Sequence, residues 1–174
     1  RPEIVDPEIT KILLTSTIKF DAKSTTKTAT TLKSDVLTTL TNYNTSTLSQ
    51  FDGVFRYSKV SSLIDATDNS ILSNITTLKI RKDFTPTLAS STKYNVYFRN
   101  ALYNPHSGHN SSAGGILESS GFKVSGDSST VFYLDDDGAG NVRRYSFSGS
   151  TRVYANETQG TIDYTNGAIT LNSL

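Results

Sequence analysis

Between residues 53 and 84 the chain changes period three times, and this narrows its fold more than any other stretch. A short β-branched and aromatic run, Val54 to Tyr57 after Gly53, is followed by a short helical pattern over residues 58–65. A loop then leads into a longer alternating run over residues 71–84. Strand, helix, strand in this order leaves both strands in need of partners, because the backbone groups of each must be hydrogen-bonded. Residues 9–20 are the upstream segment that fits. Ile12, Leu14, Ile18 and Phe20 fall on one face there, and Lys11, Thr15, Thr17 and Lys19 on the other. Residues 1–86 are therefore expected to form one small α+β domain.

Between these strands Ala29, Leu32, Val36, Leu40 and Tyr43 recur at helical spacing. Residues 44–50 break that pattern. Ser58 is the expected N-cap of a second helix, with Val60, Leu63 and Ile64 facing inward. On the last strand Leu78 and Ile80 share a face, with Thr77, Lys79 and Arg81 opposite. The expected order is strand, helix, short strand, helix, strand, with both helices on one face of a small sheet. The prolines at 2 and 7 make residues 1–7 an extended lead-in. Thr85-Pro86 closes the domain and residues 87–92 are a Ser/Thr-rich linker.

Residues 87–174 change to short alternating segments, the mark of a mainly antiparallel β domain. Tyr94, Val96 and Phe98 oppose Asn95, Tyr97 and Arg99. Residues 131–134 and 142–147 flank an Asp/Gly-rich turn, and residues 162–164 and 168–170 flank Thr165-Asn166-Gly167. Asn-Gly suits the positive φ angles of a tight primed hairpin turn. Residues 104–115, with three glycines, a proline and no apolar period, read as a long exposed loop.

Composition limits the chemistry. With no Cys, disulfides, zinc ribbons and thiol catalysis are excluded. A net charge of +1 gives no field that points to nucleic acid, an acidic membrane or a charged substrate. No apolar run has the length of a membrane helix, and no signal-peptide pattern opens the chain. Neither nucleic acid nor membrane is thus an expected partner. Roughly a quarter of the residues are Ser or Thr, well above ordinary usage. The start at Arg1 without Met gives the expectation that these residues are a piece of something longer.

Candidate sites are sparse. Asp135-Asp136-Asp137-Gly138 has the look of a calcium loop, but the twelfth position is Ser146 rather than Glu and no helices flank it, so a solvated hairpin turn is expected. His106 and His109 have metal-ligand spacing in a stretch broken by Pro105 and Gly108, and are expected to be flexible loop histidines. Ser107 beside them has no nucleophile-elbow sequence around it. Arg143 and Arg144, adjacent in a strand, point to opposite faces and make no basic patch. Lys79, Arg81 and Lys82 are expected to protect a strand edge. No catalytic residue, cofactor site or metal site is assigned. Tyr94, Tyr97, Phe98 and Tyr103 divide between the faces of their segment. Tyr97 and Tyr103, with Tyr133, are the expected interface residues, since tyrosine is enriched at protein interfaces.

The first strand Pro-Glu-Ile-Thr-Lys-Ile-Leu-Leu-Thr-Ser-Thr-Ile-Lys-Phe, the helix after it, Gly53-Val54-Phe55-Arg56-Tyr57-Ser58, and Ile75-Thr76-Thr77-Leu78-Lys79-Ile80 resemble the carboxy-terminal half of J-like baseplate proteins of contractile-tailed phages. Among these, the resemblance is to T4-type wedge subunits that build the inner baseplate ring. It implies a non-enzymatic structural protein of the virion tail, assembled in the host cytoplasm. It would pair with itself, as a homodimer or through ring contacts, and with other baseplate wedge proteins, and would permit the change of shape that accompanies contraction. Two other classes compete with it. One is a β-rich module that binds carbohydrate or a cell-surface ligand through exposed aromatics. The other is a metal-dependent hydrolase built on His106, His109 and Asp135 to Asp137.

Overall fold

A computed structural model of the chain describes residues 9–87 and 91–173. The expected lead-in at residues 1–7 lies outside them, and so does the middle of the expected linker. The class is α+β: a two-stranded sheet with two helices, then a six-stranded antiparallel sheet. By its contacts the chain divides into a unit of Ile12–Arg81 and a second unit that takes in Lys11 and the residues from Lys82 on.

In the first unit β1 (Lys11–Phe20) alternates as its sequence dictates, with Ile12, Leu14, Ser16, Ile18 and Phe20 half-buried and the residues between them exposed. It is hydrogen-bonded to β2 (Ile71–Arg81). Thr77 Oγ1 donates to Thr15 O, Ser16 Oγ meets Thr76 Oγ1 at 2.8 Å and Asp21 N donates to Ser70 O. The order of these contacts is that of antiparallel strands. On β2, Ile80 is half-buried, whereas Leu78 on the same parity is exposed.

The helix α1 (Ala29–Tyr43) has the expected stripe, with Leu32 and Val36 buried, and Thr28 caps it by accepting from Thr31 N at 3.2 Å. Residues 44–50 do not end it: Asn44–Leu48 continue as one π turn closed by Ser49 N to Asn44 O. Threonine hydroxyls in the last turns bond back to carbonyls four residues earlier, as Thr45 does to Thr41, which loosens a helix toward such a geometry.

The expected short strand at residues 54–57 is absent. Residues 53–56 are irregular, and Tyr57 already opens α2 (Tyr57–Asp65). The residue before it is Arg56, which makes no side-chain cap, so Ser58 is not the N-cap. Tyr57 serves tertiary structure instead, its hydroxyl donating to Thr76 O at 2.6 Å. Val60 and Ile64 from α2 join Val36 and Ile71 in a buried cluster, flanked by Leu14, Ile18, Leu40, Tyr43 and Phe55.

The second unit is one antiparallel sheet with strand order β3-β8-β7-β6-β5-β4. The strands are β3 (Tyr94–Tyr97), β4 (Phe122–Val124), β5 (Asp127–Asp136), β6 (Asn141–Ser148), β7 (Thr151–Asp163) and β8 (Ala168–Leu171). Both expected hairpins form. In the second, between β7 and β8, only Gly167 takes a positive φ, 62°, so the turn is not the primed type that Asn-Gly suggests. Asp163 supports it by accepting from Thr165 N and Asn166 N. Leu134, Val142, Ile162, Ile169 and Leu171 form the buried core, with Tyr94 and Val96 of β3 and Phe98 just after it packed against it.

Candidate functional site

The β5–β6 hairpin puts the three aspartates of the expected solvated turn at its tip, and the first two are not solvated. Asp135 is 1% exposed and Asp136 fully buried. Burying carboxylates without partners is costly, and each of these has its oxygens engaged. Asp135 Oδ1 accepts from Arg143 Nε at 2.9 Å, directly across the ladder; its Oδ2 accepts from Arg152 Nη1 and Tyr154 hydroxyl, each at 3.0 Å. Asp136 Oδ1 accepts from Ile116 N and Leu117 N, both at 2.7 Å. Its Oδ2 accepts from Gly138 N and the Tyr164 hydroxyl. Asp137 closes the turn by accepting from Ala139 N, Asn141 N and Asn141 Nδ2. Burial raises the pKa of Asp137, but the donors from Asn141 and Ala139 outweigh it and hold the carboxyl below its usual range.

Residues 104–115 are tied to this turn by hydrogen bonds, with only Gly114 of them buried. Asn104 Nδ2 and Gly108 N both donate to Gly138 O at 3.0 Å, and Arg143 Nη2 donates to Ser111 O at 3.1 Å. Gly138, at φ 72°, allows this approach: a Cβ there would lie 2.6 Å from the backbone of His109. The approach to the aspartate turn is made by the backbone of Gly108 and His109, and among the described residues the histidine rings make no hydrogen bond to the aspartates. Their rings pack on each other, with centroids 5.0 Å apart, and His109 packs edge-on against Tyr103. The aspartates diverge from them toward arginines, tyrosines and backbone amides. Among the described residues no group of three His, Cys, Asp or Glu side chains is placed to hold a metal ion. A cation beside Asp135 would also face two guanidinium groups, so the donor set does not suit calcium.

The same face of β5, β6 and β7 carries a row of rings that the sequence did not reveal. Tyr133 stacks on Tyr145 at 5.7 Å, Phe147 meets both at 5.5 and 5.3 Å, and Tyr145 lies 5.9 Å from Tyr154. Arg143 sits 4.4 Å over the Tyr154 ring and Arg152 4.8 Å over that of Tyr145, so each arginine has both a carboxylate and an aromatic face. Arg144 points the other way, 5.1 Å over Phe132, as strand alternation requires. The sequence reading missed the Asp135–Arg143 pair, for which the symmetry of the hairpin is the signal that could have found it. Arg152 and Tyr154 have no such signal, because β6 and β7 change register twice between Val142 and Tyr145. Of the expected interface residues, Tyr133 lies half-buried in this row, Tyr97 is exposed on β3 at one end of the sheet, and Tyr103 is exposed beside His109. The structure does not bring the three into one patch by any contact among the described residues.

Burial pushes the phenols of Tyr145, Tyr154 and Tyr164 up, and hydrogen bonds to Asp135 and Asp136 add to this at Tyr154 and Tyr164. In the unfolded chain they lose their protons near pH 10. The folded chain then binds more protons than the unfolded one, so stability falls as the pH rises above about 10. Absorbance titration of tyrosinate is expected to show a late-titrating group of phenols. Denaturation midpoints are expected to be flat from pH 8 to about 9.5 and to drop beyond.

In the first unit an open depression of about 740 Å³ lies between α1, the π turn and α2, lined by Tyr43, Thr47, Gln50, Arg56 and Lys59 among others. Its lining also includes Asp52. Among the described residues, no helix is long and apolar enough to cross a membrane.

Fold and site thus define a two-unit α+β chain whose buried charges are spent on holding its own loops. Residues 11–83 match the model of the family described as baseplate structural protein gp6, C-terminal domain III. This part of the chain is similar to a structural domain of phage baseplates, and the match supports a structural role in the phage tail. No curated protein matches the chain.

Proposed function

We propose that the chain is a J-like wedge subunit of a contractile phage tail baseplate. In this role it assembles with copies of itself and with other wedge proteins into the inner ring, and changes shape with that ring on contraction. It acts in the virion, after assembly in the host cytoplasm, without catalysis or cofactor. The α+β domain at residues 1–86 and the β domain at residues 87–174 contribute separate contact surfaces.

The family match supports the baseplate role, and one observation supports assembly. The two-stranded sheet of the matched region has helices against one face, while its other face exposes Leu13, Thr15, Thr17 and Ile75. Two strands are marginal by themselves, and exposed aliphatic area gains from being covered. Tyr97, Tyr103 and Tyr133 are proposed as contacts of the second unit. The row of rings around Tyr133 also favours a second reading, carbohydrate recognition, for which a glycan array with hits lost in Tyr133→Ala is the discriminating result.

Sedimentation velocity of the whole chain at micromolar concentration, alone and with wedge proteins, tests the assembly reading. The expected result is a concentration-dependent oligomer or a mixed complex that Ile75→Asp weakens while the circular dichroism spectrum is unchanged. A chain that stays monomeric and ignores the wedge proteins would overturn it.

A further inference from the structure

We infer that residues 103–115 form a releasable strap, which lifts from and recloses over a sheet that stays folded. Its two ends are fixed by apolar packing, since Leu102 and Leu117 both lie against the core of the β unit. Leu102 N also donates to Tyr164 O at 2.7 Å. Between those ends only Gly114 is buried, and Tyr103 is 73% exposed.

What holds the strap down is polar. Gly138 O accepts from Asn104 Nδ2 and Gly108 N, Ser111 O accepts from Arg143, and Gly114 O accepts from Asp136 N at a long 3.4 Å. Asn104 Oδ1 is buried with no hydrogen-bond partner among the described residues, so even that anchor is half-satisfied. Hydrogen bonds of this kind exchange for bonds to water with little net change, unlike buried apolar area.

The strap also has a shape of its own. Ser111 N bonds to Gly108 O and Ala113 N to Asn110 O, and Gly115 N and O both pair with Asn110. It can therefore move as a body. Beneath it Gly114 lies so close to Arg152 that any Cβ would collide with the guanidinium. Lifting the strap uncovers Arg152 and Arg143 beside the rings of Tyr145 and Tyr154, while Asp135 continues to hold both arginines. The sheet keeps its ladder throughout, because none of the β5–β6 or β6–β7 pairs involves the strap.

Native-state hydrogen exchange of the whole chain tests this. The amides of Gly108 and Gly115 are expected to exchange at least about ten-fold faster than those of the β5–β7 ladder, at a rate that low urea does not change, as for a local opening. Asn104→Ala is expected to speed strap exchange several-fold and leave the ladder unchanged. Phenylglyoxal labelling of Arg152 should rise in parallel. Equal protection of strap and ladder, or a joint response of both to urea, would overturn the proposal. The wild-type comparison decides the matter even where the variant folds poorly.

Discussion

Asp135→Ala is expected to cost the β unit about 3–5 kcal/mol, the usual penalty for removing one partner of a buried ionic group. Its side chain is 2% exposed, and the two arginines it serves are 13% and 27% exposed. Removing the carboxylate leaves both guanidiniums without their anion in a place where water reaches them poorly, and leaves the Tyr154 hydroxyl without its acceptor. The cation–π contacts to Tyr154 and Tyr145 recover only part of this. The measurement is urea denaturation followed by tyrosine fluorescence, which reports on this unit through Tyr133, Tyr145 and Tyr154 in a chain without Trp. A lower midpoint at unchanged slope is the expected result. Replacing the set together, Asp135→Leu with Arg143→Met and Arg152→Met, should recover most of the loss, since buried ion pairs often gain little over an apolar set. A loss below about 1 kcal/mol in Asp135→Ala would mean that the arginines reach solvent instead, which their burial argues against.

The features that were legible in the sequence are those fixed by short-range periodicity. The alternation at residues 11–20, the helix with its Leu32 and Val36 stripe, and the two hairpins all follow from spacing alone. Residues 54–57 show where that reasoning fails. Val, Phe and Tyr favour a strand, but among the described residues the segment pairs with neither strand of the two-stranded sheet. Gly53 is pressed against the carbonyls of Thr47 and Leu48 at the end of the π turn, and Tyr57 is drawn into α2 by its bond to Thr76. Tertiary contact overrode propensity.

The aspartate turn failed for a related reason. Asp and Gly at a hairpin tip are normally solvated, and they are buried here because a segment some twenty residues upstream brings Ile116 N and Leu117 N onto Asp136. No local pattern records that approach. The pairing of β3 with β8, whose residues lie more than seventy positions apart, was equally invisible until the chain was folded. What the sequence could show of the site was its symmetric core, Asp135 opposite Arg143. The rest depended on two register shifts and a distant loop.

Ile64→Ala should be the most damaging single truncation in the first unit, at about 2–5 kcal/mol. Ile64 is fully buried, and it packs with Val36, Val60 and Ile71 in a small cluster between two helices and a two-stranded sheet. A unit of this size has little to spare: at roughly 0.05–0.15 kcal/mol per residue, about seventy residues amount to some 3–10 kcal/mol in all. The cavity cannot easily collapse either, since α2 is held by Tyr57 to Thr76 and by Ser61 with Asn74 to β2. Thermal denaturation monitored at a helical wavelength is expected to show the melting of this unit brought down by ten degrees or more, at about 4–8 degrees per kcal/mol. Leu37→Ala on the exposed side of α1 is the control, because that side chain is 55% exposed and its removal should change stability by no more than about 0.5 kcal/mol. If Ile64→Ala and Leu37→Ala shift the transition equally, the buried cluster does not hold the unit together and the surface of α1 must.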